Sequence, residues 1–214
     1  MSSKNARKAL PEAGPGRRTP SQERSKALVH SVMEATALVL RDVGLEAMST
    51  NKIAARAGVA IGSIYQYFPD KEALLDALID DRVQRLETLA ASRIEFMRTR
   101  SYPEAAEAML RATIEFCVAE PELSSILFTR IAVPSHNPRH VAASNNVQEL
   151  TRNYLLECGD HLKVHDVDLA ATISTHVIAR FAPWIALTVQ TEREREHFIA
   201  EIVRMLSLWI GAAE

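Results

Sequence analysis

Between residues 50 and 71 the chain sets out hydroxyls, an amide, phenols and an ammonium at short intervals: Thr50, Ser63, Tyr65, Gln66, Tyr67 and Lys71. These are the donors and acceptors that meet base edges and phosphate oxygens of a nucleic acid. Gln66 can pair bidentately with adenine, and Ile61 can meet a thymine methyl. Gly62 lets the backbone come close, and Ser63 faces the same way. Tyr65 can reach base or phosphate. Thr50, Tyr67 and Lys71 suit phosphate positioning, together with the amides at the start of a helix opened by Asp70. Other chemistries find less support. The chain has no phosphate loop, nucleophile elbow or clustered carboxylates, so neither an enzyme nor a cofactor is expected. Cys158, His161 and His165 have the spacing to share a metal on one helical face. Gly159 and Asp160 end the helix there, however, and no metal is expected.

The elements that must position these groups follow from local chemistry. Ser49 or Thr50 can cap a short helix through a side-chain oxygen. Ile53, Ala54 and Ala57 give that helix a narrow apolar face, too short to stand alone. Gly58 suits a left-handed helix end, with Val59 as the apolar plug behind the turn. A second helix from Ala60 to Phe68 places Ile64 and Phe68 on one side and Ser63, Gln66 and Tyr67 on the other. Pro69 stops it, and Asp70 caps the next. One face seats the helix while the other carries polar tips, the division that a helix-turn-helix requires.

The run Gly58-Val59-Ala60-Ile61-Gly62-Ser63-Ile64-Tyr65-Gln66-Tyr67-Phe68-Pro69-Asp70-Lys71 resembles the signature of the tetracycline-repressor (TetR) family of bacterial transcription regulators. The resemblance covers roughly residues 22–80. It implies a sequence-specific DNA-binding regulator, a repressor released from a palindromic operator by a small-molecule effector. An activator or ligand-independent regulator on the same scaffold is the alternative, and a helical enzyme or metal-binding protein the more distant one. Many members carry Ser or Thr where this chain has Ala60, so the capping or phosphate-touching hydroxyl of that position is missing here.

The bulk composition agrees with an all-α fold. Of 214 residues 47% are apolar and only 7 are Gly, which favours helices over turn-rich β structure. No apolar run approaches the ~18 residues of a membrane span, and no signal-peptide core is visible, so a cytoplasmic protein without membrane contact is expected. Cys117 and Cys158 read as reduced thiols. Net charge is −2, but residues 1–26 hold seven basic groups against Glu12 and Glu23, a balance of +5, leaving −7 for the rest. That basic arm is expected to lie along phosphates, where released counterions reward it. Three domains follow: a flexible arm over 1–21, a helix-turn-helix domain over 22–70 and a helical ligand-binding and dimerisation domain over 71–214.

Apolar spacing of three and four predicts helices over 22–43, ended by Gly44, and over 71–98, with further helices near 103–118, 121–131, 141–162, 167–190 and 192–211. Residues 132–140 read as a loop. The last two helices are apolar over a wide arc, as if buried on two sides. The resemblance implies a homodimer through them, and Ile173, Val177, Ile185, Val189, Phe198, Ile202, Met205, Leu206 and Trp209 are the expected interface. It also implies a ligand cavity, for which the candidate lining is Met97, Met109, Phe116, Phe128, Arg130, His176, Arg180, Phe181 and Trp184. Pro183 is expected to bend its helix beside His176, Arg180 and Trp184, and Arg180 to meet either the ligand or Glu201.

Overall fold

The computed structural model describes residues 20–131, 138–159 and 162–211 and, within them, all side chains but those of residues 20–22, Phe96, Arg130 and Ile131. The arm up to residue 19, loop residues 132–137 and His161 therefore lie outside the described residues. The order is α1 (Pro20–Ala47), α2 (Thr50–Ala57), α3 (Ile61–Tyr65), α4 (Lys71–Met97), α5 (Tyr102–Ala119), α6 (Pro121–Ile131), α7 (Pro138–Cys158), α8 (Val167–Thr188) and α9 (Glu192–Ile210). No strand occurs among the described residues.

Helix ends follow their capping residues. Gly44 breaks α1 with φ 75° and ψ 170°, a conformation that glycine alone adopts freely, so the chain turns a corner there before α2. Helix α5 opens with a capping box: the Glu104 carboxylate accepts from the Ser101 amide at 3.0 Å, and Pro103 sits in the first turn. Helix α7 begins at Pro138, inside the expected loop, because proline has no amide to lose at a helix start. Helix α8 runs through Pro183 to Thr188 as one element.

The apolar faces gather into two main cores and a small one between them. In the first, Val32, Ala35, Val39 and Leu40 of α1 enclose Ile53 and Ala54 of α2, Ile64 of α3 and Phe68. Leu74 and Leu78 of α4 close it from below, and Leu123 reaches in from α6. The second core joins α5, α7, α8 and α9 through residues such as Leu110, Leu155, Ala171, Ile185 and Leu206. Between them, Leu75, Ile79 and Val83 of α4 pack on Leu127 of α6 and Ala143 of α7. Thus α4 is buried along two stripes, one for each neighbour.

Ile64 is fully buried on the shortest helix, which has no internal stability of its own. Ile64→Ala should therefore cost about 2–5 kcal/mol. Denaturant unfolding followed by hydrogen exchange should show the loss concentrated in residues 48–68, with the α5–α9 core protected as before.

Candidate nucleic-acid interface

The short helices are held by the signals that predict them. Ser49, in extended conformation, accepts from the Lys52 amide through Oγ at 3.4 Å, which decides the cap in its favour and leaves Thr50 as the first helical residue. Gly58 is left-handed at φ 68°, and the Val59 amide donates back to the Ala54 carbonyl at 3.1 Å, closing α2. Ala60 stands at the start of α3 without any side-chain cap, as its missing hydroxyl requires.

Helix α3 is shorter than expected. It ends at Tyr65, and Gln66 and Tyr67 form a turn in which the Phe68 amide still reaches the Ile64 carbonyl at 2.9 Å. Pro69 explains the stop, since it restricts the residue before it to extended backbone. The turn still seats Phe68 beside Ile64 in the core. Ile61, Gly62, Tyr65, Gln66 and Tyr67 are left exposed, and Ser63 partly so. Ile61 at 37% and Tyr65 at 50% exposure are the apolar and aromatic members of this face. It is an outward-facing row of mixed chemistry on a rigidly seated turn of helix, the form that base-edge readout takes.

Two lysines brace the row. Lys71 Nζ donates to the Leu45 carbonyl at 3.4 Å, and Lys52 Nζ to the Ala47 carbonyl at 2.8 Å, so both tie their helices to the corner after Gly44. Lys52 was not picked out from the sequence; an exposed lysine in the first turn of a short helix gives no local sign of that contact. Arg56 and Arg41 share Asp42 at 3.2 and 3.1 Å on the adjoining surface. Asp70 caps α4 by accepting from the Ala73 amide at 2.8 Å, which orients the helix that supports the whole row.

The candidate ligand residues do not converge. Met97 is buried in the larger core and Met109 packs against it. Phe116 lies under the Arg82 guanidinium, 3.6 Å from ring centroid to cation. Phe128 packs on the small core, and the Arg130 side chain is outside the description. His176, Arg180, Phe181 and Trp184 lie exposed on α8. Glu201 binds Arg204 on its own helix at 2.6 Å, in place of the expected Arg180.

The expected interface residues divide as well. Ile185, Val189, Ile202 and Leu206 are buried in the chain's own core. Ile173, Val177 and Phe198 are half-buried, while Met205 and Trp209 are exposed. Phe181 and Trp184 join this outer face, with Trp184 edge-on to Phe198 at 5.0 Å and to Phe181 at 6.4 Å. A wide apolar arc does not say which of its edges faces inward; packing against α5 decides that.

Two further features carry no local mark in the sequence. In the larger core Tyr102 Oη lies 2.9 Å from Ser174 Oγ, and Tyr154 Oη donates to the Arg100 carbonyl at 3.2 Å. Burial pushes the Tyr102 phenol up to about 12 and raises Tyr154 as well, so both are neutral donors at ordinary pH. The second is an open groove of about 900 Å³ between α1, α4 and α6, lined by Met33, Leu38, Phe68, Leu78, Glu120 and Leu123 among others. Among the described residues no cluster of three metal-binding side chains occurs, and no helix is long and apolar enough to cross a membrane.

Comparison with known proteins follows this division. The family model for bacterial regulatory proteins of the tetR family matches residues 32–78, and that for tetracyclin repressor-like C-terminal domains matches residues 101–208. The HTH-type transcriptional regulator BetI of Cronobacter sakazakii is 36% identical over 84 residues, 39% of this chain and 40% of that protein. The chain spans less than half the length of the curated relatives it matches. A TetR-family regulator from Mesorhizobium loti superposes with a TM-score of 0.68 at 17% identity, covering 88% of this chain and 99% of that one. The regulator FadR from Bacillus subtilis, in complex with stearoyl-CoA, superposes with a TM-score of 0.60 at 19% identity, covering 83% and 96%.

Removing the α4 cap tests whether the exposed row depends on it. Asp70→Ala should cost about 1 kcal/mol by thermal denaturation. Exchange of the Ala73 amide should speed up while that of Ile53 stays slow.

Proposed function

The chain belongs to the tetR family of bacterial regulatory proteins, and on that premise we propose that it is a homodimeric transcriptional repressor, released from a two-fold-related DNA operator by a small molecule. The observation that carries the reading is the row Ile61, Gly62, Ser63, Tyr65 and Gln66, presented outward from a helix whose Ile64 and the following Phe68 are locked in the core. Base discrimination comes from this row. Thr50, Tyr67 and Lys71 hold phosphate, and the family's usual hydroxyl at position 60 contributes nothing here.

One such row spans only a few base pairs, so specificity needs a twin about one helical turn away, ~34–36 Å along the duplex. The surface proposed for pairing is the outer face of α8 and α9, where Phe181, Trp184, Met205 and Trp209 are each exposed. Its support is chemical: large apolar side chains in one patch on a surface otherwise rich in charge. For the effector, the reading favours the larger core, where Met97 and Met109 occur with the hydroxyls of Tyr102, Tyr154 and Ser174. Apolar lining with a few fixed polar groups is what small-molecule sites use. A neighbour of the same fold holds stearoyl-CoA, so apolar effectors are the first to try.

Selection from a random duplex pool should yield a palindromic site whose log affinity falls linearly with log salt. A flat salt plot counts against DNA binding altogether. Lys71→Met should reduce that slope by about 1. Gln66→Ala should cost about 1–3 kcal/mol at particular base pairs, measured on single-substituted sites; equal weakening on every site makes Gln66 a backbone contact. Met205→Glu should turn the dimer into a monomer in sedimentation velocity. A dimer that survives a charge there places the interface elsewhere.

A further inference from the structure

Helix α1 ends without a cation of its own. Its last turn holds no basic residue, and Glu46 sets an acid there against the negative end of the helix. The last carbonyls of a helix also find no donor within it. Lys52 of α2 answers both: its Nζ donates to the Ala47 carbonyl at 2.8 Å. A long side chain leans back toward the start of its own helix, so the first turn of α2 is a place from which the end of α1 can be reached.

The bond spans the link on which Thr50 depends. Only Met48 and Ser49 lie between α1 and α2. Met48 is buried and anchors the link from the core side. On the exposed side the helix cap is long, with the Lys52 amide 3.4 Å from Ser49 Oγ. Arg56 stands one turn further along the same face of α2 and reaches Asp42 at 3.2 Å, but both side chains are exposed, and such a pair contributes little and is screened by salt. A charge-assisted bond to a carbonyl is the stronger kind. It joins residues five positions apart, and Thr50 lies inside the ring it closes. Lys71 reaches the Leu45 carbonyl from 26 positions away at 3.4 Å, so it closes no comparable ring and is more loosely held.

We propose that Lys52 is a positioning residue for the DNA contact: with its ammonium on the Ala47 carbonyl it fixes the start of α2 and sets the Thr50 hydroxyl against a phosphate, a role that rests on reading the chain as a DNA-binding regulator. The two lysines at the corner then divide the work. Lys71 neutralises a phosphate, whereas Lys52 neutralises the end of α1 and acts on DNA only through Thr50.

The test has one arm in the free protein and one on the selected duplex. Lys52→Met, at an exposed position, keeps the aliphatic stem and removes the ammonium. In the free protein, exchange of the Ile53 amide, which donates to the Ser49 carbonyl, should speed up, while the Phe68 amide on the Ile64 carbonyl exchanges as before. On the duplex, Lys52→Met should weaken binding about five- to tenfold on every single-substituted site alike. The slope of log affinity against log salt should stay as in the parent, where Lys71→Met lowers it by about 1. Thr50→Val, which removes the hydroxyl, should cost less in the Lys52→Met protein than in the parent, while Gln66→Ala costs the same in both. Unchanged Ile53 exchange, additive losses from Lys52→Met and Thr50→Val, or a slope lowered by about 1 in Lys52→Met each overturns the proposal, the last by making Lys52 a phosphate contact. A parent that binds no duplex at any salt removes the regulator reading and the positioning role with it, and Ile53 exchange in the free protein tells that failure from a failure of the tether.

Discussion

The burial of α4 along two stripes is the constraint on which the other relations in the molecule depend. Leu74 and Leu78 belong to the core under α2 and α3, while Leu75, Ile79 and Val83 belong to the contact with α6 and α7. These positions lie one, three, one and four residues apart along the helix, so it cannot rotate to improve one contact without spoiling the other. The unit of α1, α2 and α3 is accordingly no independent module on a tether. It sits on the same rigid rod that the larger bundle grips, and Leu123 of α6 adds a second support. Packed interiors do not deform continuously, so a displacement within the bundle reaches the head either as a step or not at all.

That geometry explains what was legible in the sequence. The turn-defining residues act within a few positions of themselves: Ser49 caps, Gly58 takes the left-handed conformation, Pro69 stops and Asp70 restarts. The seating of α3 and the exposed row on it could therefore be read from a short stretch of sequence, and the family signature lies in the same stretch. Its length was overestimated, because Ile64 and Phe68 at four-residue spacing fit a turn of helix and a hydrogen-bonded turn equally well. The long helices were legible for a different reason: apolar spacing repeated over several turns leaves few alternatives.

Facing is what the sequence left undecided. Ile185 and Trp184 are neighbours in the chain, yet one is fully buried and the other 43% exposed. Both fit a wide apolar arc, and only the position of α5 against α8 and α9 separates them. The same limit dispersed the candidate ligand residues, since a large apolar side chain carries no mark of whether its neighbour is a core residue or a cavity. Arg82 shows the limit from the other side. A lone arginine in a helix rich in Asp and Arg reads as solvated, and its acceptors Phe116, Glu120 and Ser124 stand 34 to 42 residues away.

Magnitudes then say what a buried arginine among these acceptors is suited to. Taking a guanidinium out of water costs several kcal/mol, which a good set of acceptors roughly offsets, so such a residue adds little net stability over an apolar one. It does add direction, because the planar cation accepts partners only in fixed places. The half-exposed contact of its partner Glu120 with Arg85 is weaker, about 1 kcal/mol, as surface ion pairs are. That is too little to hold a fold together. Hydrophobic burial fixes the rod, and the buried guanidinium fixes where the α5–α6 corner meets it.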